Sequence, residues 1–289
     1  MASLKEIKGR ISSVKSTLKI TSAMKMVASA KLHKAQNAIT NMLPYERKLR
    51  EMLRLLLASA SLEGGSSLAE ESQTHTVALV AFSSNSSLCG GFNANVIKEV
   101  KARIAEVEAS GERVEVIGVG RKVAESLKKA GYPSADDWSD LVAHSSYAEA
   151  DSLARMLQER FEAGAYSRVE LIYNHFVSTA TQTVTRDVYL PMTLDVRPDA
   201  MDELAADDII IEPSPEEMLA EMLPRVRSLH LYTVVLDSVA AEHAARTVAM
   251  QTATDNGENI LQELTLEYNK GRQQKITSEI LDIVGGSMQ

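Results

Sequence analysis

Few residues of this chain could do chemistry, and none stands in a pattern that chemistry requires. The six histidines (His33, His75, His144, His175, His230 and His243) are scattered, with no pair at metal-ligand spacing on one helix. The phosphate-loop, zinc-protease and serine-elbow signatures are missing. Gly118-Val-Gly120-Arg-Lys-Val123 follows a strand pattern and opens a helix pattern, as a dinucleotide fingerprint does. It lacks the third glycine, and Asp136 and Asp137, near the right distance, fall in a loop. Gly90-Gly91 could form an anion nest, but no Lys or Arg stands beside it, which favours a tight turn. Cys89 has no flanking base or cation and reads as a small buried residue. The expectation is no catalytic, cofactor-binding or metal-binding residue, and no cofactor.

The elements around these residues are more informative. The chain has 289 residues, 45% of them apolar, and a net charge of −8, as in an ordinary globular protein of one or two domains. One cysteine excludes an intrachain disulfide. No apolar run approaches a membrane span, and the opening Met-Ala-Ser-Leu-Lys-Glu-Ile-Lys resembles neither a signal nor a transit peptide. This reads as a cytoplasmic-side protein. Residues 1–36 carry +7, which leaves −15 on the other 253. A basic arm on an acidic body points to an anionic partner. Nucleic acid fits poorly, because residues 1–44 hold no aromatic and no recognition motif. Lipid fits poorly without Trp or Phe on the apolar face. An acidic protein surface is the third candidate.

Three segments differ in period. In residues 1–58, Leu4, Ile7, Ile11, Val14 and Leu18 alternate steps of 3 and 4, a heptad seam. The stripe then slips to Ile20, Met24 and Val27, and Pro44 predicts a kink or break. Residues 59–74, with Gly64-Gly65-Ser66-Ser67, read as a linker. Residues 75–205 alternate strand and helix patterns in the order β-α-β-α-α-β-β, ending in a hairpin. This predicts a Rossmann-like α/β domain with a largely parallel sheet and one antiparallel edge. Residues 206–289 form a last helix, with Ser214 as its N-cap and Pro215 at its first position. Its seam runs Leu229, Tyr232, Leu236, Val239, His243, Arg246, Met250, Ala253, Gly257, Ile260, Leu264. A slipped stripe continues through Tyr268, Ile276, Ile280 and Ile283. Residues 225–284 would make a helix about 90 Å long, far more than a globular core needs. Its partner is the N-terminal helix, and the inserted domain makes the pair antiparallel. The unequal lengths leave Ile276, Ile280, Ile283 and Val284 without cover, as at an interface.

Three stretches carry a family resemblance. Ile20-Thr-Ser-Ala-Met-Lys-Met-Val-Ala-Ser-Ala-Lys31, Ser83-Ser-Asn-Ser-Ser-Leu-Cys-Gly-Gly-Phe-Asn93 and Ala244–Glu279, in that order, resemble the gamma subunit of F-type ATP synthases. The resemblance implies an α/β protein with long helices: an antiparallel coiled coil of the two termini with an inserted α/β foot. It also implies a non-catalytic rotor shaft. The coiled coil would stand inside a ring of alpha and beta subunits, and the foot would sit with the epsilon subunit on the membrane c-ring. Rotation driven by protons would then drive the catalytic beta subunits, or the reverse, at the cytoplasmic face of the bacterial membrane. Carried over residue by residue, Met24, Lys25, Arg246, Gln273 and Thr277 contact beta. Ile276, Ile280, Ile283 and Val284 form an apolar bearing. Ile209, Ile211 and Glu212 contact the c-ring or epsilon. The chain departs from the family at Asn85-Ser86-Ser87, where a cation is usual. With Cys89 alone, the two-cysteine switch of plastid forms is excluded, which favours a bacterium.

Overall fold

The computed structural model describes residues 3–64, 74–134, 136–192 and 211–286. The chain divides into two compact units, Met1–Ala30 with Arg246–Gln289, and Lys31–Ala245. The elements are α1 (Leu4–Gly64), β1 (Thr76–Phe82), α2 (Phe92–Ala109), β2 (Arg113–Val119), α3 (Arg121–Lys129), α4 (Ser139–His144), α5 (Tyr147–Glu162), β3 (Arg168–Phe176), β4 (Gln182–Leu190) and α6 (Pro215–Gly286). The strand-and-helix order of the middle segment is the expected one, with the short α4 added. Among the described residues no helix is long and apolar enough to cross a membrane.

The ends of the long helices differ from expectation. Pro44 lies inside α1, and α1 runs to Gly64, past the end expected near 58. Residues 65–73 of the expected linker lie outside the described residues. A proline inside a helix costs about 3 kcal/mol. Beyond it, Leu49, Leu53 and Leu56 are buried with Met222, Val226 and Leu229 of α6, and that burial offsets the loss. The Ala and Leu residues after 56 are strong helix formers and carry the helix on. At the start of α6 the expected cap is present: Glu217 N–H donates to Ser214 Oγ at 3.2 Å.

In the unit of residues 31–245 the sheet order is β2-β1-β3-β4. β1 pairs in parallel with β2 and β3, and β4 closes one edge antiparallel to β3. β1 is covered on both faces, as a central parallel strand must be. Val77, Leu79 and Ala81 meet α2 and α3, with Val96, Val100, Val123 and Leu127. Ala78, Val80 and Phe82 face the other way, into a core with Leu153 and Leu157 of α5, Leu231, Val235 and Ala240 of α6, and Leu32 of α1.

An ion network ties α2 to the β3–β4 hairpin. Arg103 donates to both oxygens of the buried Glu170, at 2.7 and 2.8 Å, and to Glu106 at 2.9 Å. Arg186 donates to Glu106 at 2.8 Å and reaches Glu99. The bonds from Arg186 and then Arg103 hold the Glu106 carboxyl down at about 2. Burial pushes Glu170 up, but Arg103 and Arg168 outweigh it, so its net shift is downward. Carboxyls lowered in the fold add stability above their ordinary range and lose it as pH falls through the native values. Thermal stability should therefore hold from neutral pH down to about 5 and fall between about 4.5 and 2. Glu170→Gln should cost about 3 kcal/mol at pH 7 by denaturant titration and shrink the acid-range loss.

Candidate functional site

The region most like an enzyme site is the pair of turns after β1 and β2. Gly120 has φ 99°, and a Cβ there would lie 2.2 Å from the Ser83 carbonyl oxygen. Only glycine lets the two turns approach this closely. The helix start at α3 would suit a phosphate if its N–H groups were open. They are not: Arg121 N donates to Asn85 Oδ1 at 2.9 Å, Lys122 N to the Ser84 carbonyl at 3.1 Å, and Val123 N to Ser83 Oγ at 2.9 Å. Asn85 also donates to the Ser139 carbonyl at 2.7 Å. The chain's own β1–α2 turn thus takes up the donors a dinucleotide would need. Gly90, at φ 59°, makes the tight turn the sequence favoured. Cys89 is buried and receives the Asn93 amide at 3.2 Å. Gly120→Ala should destabilise the chain by about 3 kcal/mol or more in denaturant unfolding, from a backbone clash plus a disfavoured φ.

The surfaces that remain lie on the long helices. In the unit of residues 1–30 and 246–289, each step up α1 matches a step down α6. An added Cβ on Gly271 would lie 3.0 Å from Leu4, and one on Gly257 would lie 2.7 Å from Leu18. Thr21 Oγ1 meets Thr254 Oγ1 at 2.9 Å, and Lys25 Nζ donates to Gln251 at 2.7 Å. The expected slip of the α1 stripe does not occur. The 3–4 spacing continues through Thr21, Lys25 and the buried Ala28, with polar groups in the seam that satisfy one another. Ile20 and Val27, expected in the seam, are 60% and 58% exposed, and Met26 is 63% exposed. Beyond Met250 the half-buried positions of α6 are Thr254, Gly257, Leu261, Leu264, Tyr268 and Gly271, whereas Ile260 is exposed.

The residues carried over from the resemblance fall into three groups. Met24 and Lys25 are half-buried, Lys25 against Gln251 of α6, and Arg246 is buried. Gln273 and Thr277 are exposed, and Thr277 Oγ1 bonds its own helix at the Gln273 carbonyl, 2.9 Å away. Ile276, Ile280, Ile283 and Val284 are all exposed, and so is Leu281, which the sequence reading passed over. In the unit of residues 31–245, Ile211 packs against the cluster of Leu49, Leu53 and Val226, and Glu212 is exposed. Ile209 lies outside the described residues. A second feature the sequence did not signal is Leu88, exposed in the left-handed region at φ 67°. Nothing in its residue type announces this, because turn chemistry favours Gly or Asn there.

The fold defines the class: an α/β domain inserted between two long terminal helices that pair antiparallel. The family model described as "ATP synthase" matches residues 3–288. The ATP synthase gamma chain of Phocaeicola vulgatus is 53% identical over 289 residues, with 100% of each chain covered. That of Bacteroides thetaiotaomicron is 52% identical, also with 100% of each covered. A chain from the mitochondrial ATP synthase of Euglena gracilis (OSCP/F1/c-ring) superposes with a TM-score of 0.68 at 18% identity, over 99% of this chain and 93% of that one. A chain from the rotor of the same enzyme gives 0.62 at 20% identity, over 94% and 98%. This chain belongs to the gamma-chain family of ATP synthase.

Proposed function

We propose that this chain is the central rotor shaft of an F-type ATP synthase at the cytoplasmic face of a bacterial membrane, held there only through the complex. The observation that carries the reading is the apolar tail of α6. Among the described residues Leu4 lies against Gly271, and Ile276, Ile280, Ile283 and Val284 beyond it are exposed. A row of isoleucines kept in water by a soluble helix calls for an apolar collar. The ring of alpha and beta subunits supplies one. Two antiparallel helices of unequal length have no rotational symmetry, so the three beta subunits meet three different faces at any instant. Turning the shaft then changes which beta subunit binds, reacts or releases.

The other contacts follow from charge and exposure. The lysine-rich start of α1 faces an acidic loop of beta, with Met24 and Lys25 at the contact and Ile20, Met26 and Val27 presented outward. Arg246, Gln273 and Thr277 are the α6 counterparts. Ile209, Ile211 and Glu212 rest on the c-ring or epsilon. Met24→Lys adds a charge beside Lys25. It should lower ATP-driven proton pumping per ATP by about threefold, with ATP hydrolysis largely kept; unchanged pumping would remove Met24 from the contact.

Native mass spectrometry of the detergent-solubilised complex, purified through a tag on this chain, tests the reading. One copy with about three copies each of two larger nucleotide-binding subunits is expected. A lone chain or a homodimer would end it.

A further inference from the structure

Within the unit of residues 31–245, the apolar seam of α1 and α6 is crossed by a chain of polar groups. Arg50 Nη2, on α1, lies 2.7 Å from His230 Nδ1, on α6. His230 Nε2 lies 2.8 Å from Asp187 Oδ2, on β4. A guanidinium can only donate, so Nδ1 accepts and the Nε2–H donates to the carboxylate. The neutral imidazole with its proton on Nε2 is the form this geometry takes. Arg50 is held in turn by Glu46 on its own helix at 2.7 Å. Tyr189 of β4 stacks on the imidazole at 6.0 Å with 15° between the planes, which fixes the ring. A similar clamp lies further along α6: His175 Nδ1 of β3 donates to Asp237 Oδ2 at 2.6 Å, and Phe176 N–H to its other oxygen at 2.9 Å.

Around the chain the contacts are apolar: Leu49, Leu53 and Leu56 against Met222, Val226 and Leu229. Apolar burial is non-directional. It resists pulling the helices apart but resists sliding poorly, because a slipped helix sets leucine on leucine again. A hydrogen-bonded chain with one allowed proton arrangement resists sliding, since any shift leaves partly buried polar groups unpaired.

Building on the rotor reading, we propose that Arg50–His230–Asp187 is the joint that keeps α1, α6 and the sheet from slipping on one another when the shaft turns under load. The three are positioning residues for coupling. They touch no nucleotide.

The test uses the whole complex in proteoliposomes, with His230→Leu, His230→Gln and Arg50→Gln. Glutamine carries an acceptor oxygen and a donor NH2 group, so it can bridge Arg50 and Asp187 as histidine does; leucine cannot. In His230→Leu and Arg50→Gln, subunit stoichiometry and ATP hydrolysis without a gradient should stay near wild type. Proton pumping per ATP against a gradient should fall by about threefold to tenfold, the range set by one directional bond. His230→Gln should restore most of it. Unchanged pumping in both loss variants would overturn the joint, and so would equal loss in the leucine and glutamine variants. Failure of Arg50→Gln to assemble would overturn it too, by making the contact one of assembly. Absence of this chain from the wild-type complex would instead sink the rotor reading itself.

Discussion

The α/β part of the molecule depends on the apolar face that α6 turns toward the sheet. Leu231, Val234, Val235, Val239, Ala240 and Ala244 are buried there with Val80 and Phe82 of β1, Leu171 of β3 and Leu153 of α5. The alanines let the helix come close, and the branched residues fill the space between strands. Ala241 and Ala245 then pack on Cys89 and Phe92, which anchors the β1–α2 turn. That turn carries Ser83, Ser84 and Asn85, the groups that cap α3. One helix face therefore supports the sheet, the turn and, through the turn, the next helix. Remove it, and α5 alone is left to cover most of that face of the sheet.

The paired ends of the chain are organised differently. Gly257 and Gly271 are two heptads apart on α6, and Leu18 and Leu4 are two heptads apart on α1. Each leucine sits where a glycine leaves room. Glycine inside a helix costs about 1 kcal/mol against alanine, so the fit is obtained at the expense of helix stability. Thr21 with Thr254 and Lys25 with Gln251 make that register directional. Polar groups set alignment and apolar groups set adhesion, here as at Arg50, His230 and Asp187.

Much of this is legible in the residues. Steps of 3 and 4 reveal both long helices, the inserted domain makes their pairing antiparallel, and the middle segment's alternation reveals a largely parallel sheet with one antiparallel edge, though not its strand order β2-β1-β3-β4. The exposed tail from Ile276 to Val284 follows from the unequal lengths. What is not legible has physical causes. The α1 seam continues through Thr21 and Lys25, so an apolar count follows Ile20 and Val27 outward to solvent. The α6 seam takes Thr254 and Leu261 in place of Ala253 and Ile260 for the same reason. Pro44 reads as a kink or break, and the helix is not broken there, because local propensity does not see the leucines beyond it. The joint at His230 is invisible because Arg50 and Asp187 are far away in sequence. Gly118-Val-Gly120 matches a nucleotide turn only in part, and what the residues do not announce is that Asn85 accepts from Arg121 N at the start of α3 and donates to the Ser139 carbonyl.

The role of the shaft is mechanical, and rotation can be watched. Cys89 is buried, so a cysteine introduced at the exposed Lys129 of α3 gives a labelling site for a bead on the foot. With the alpha–beta ring fixed to a surface and ATP supplied, the bead should turn in one direction, with about three pauses per revolution, one for each beta subunit. ATP hydrolysis at the normal rate with a stationary bead would mean that this chain is not the shaft.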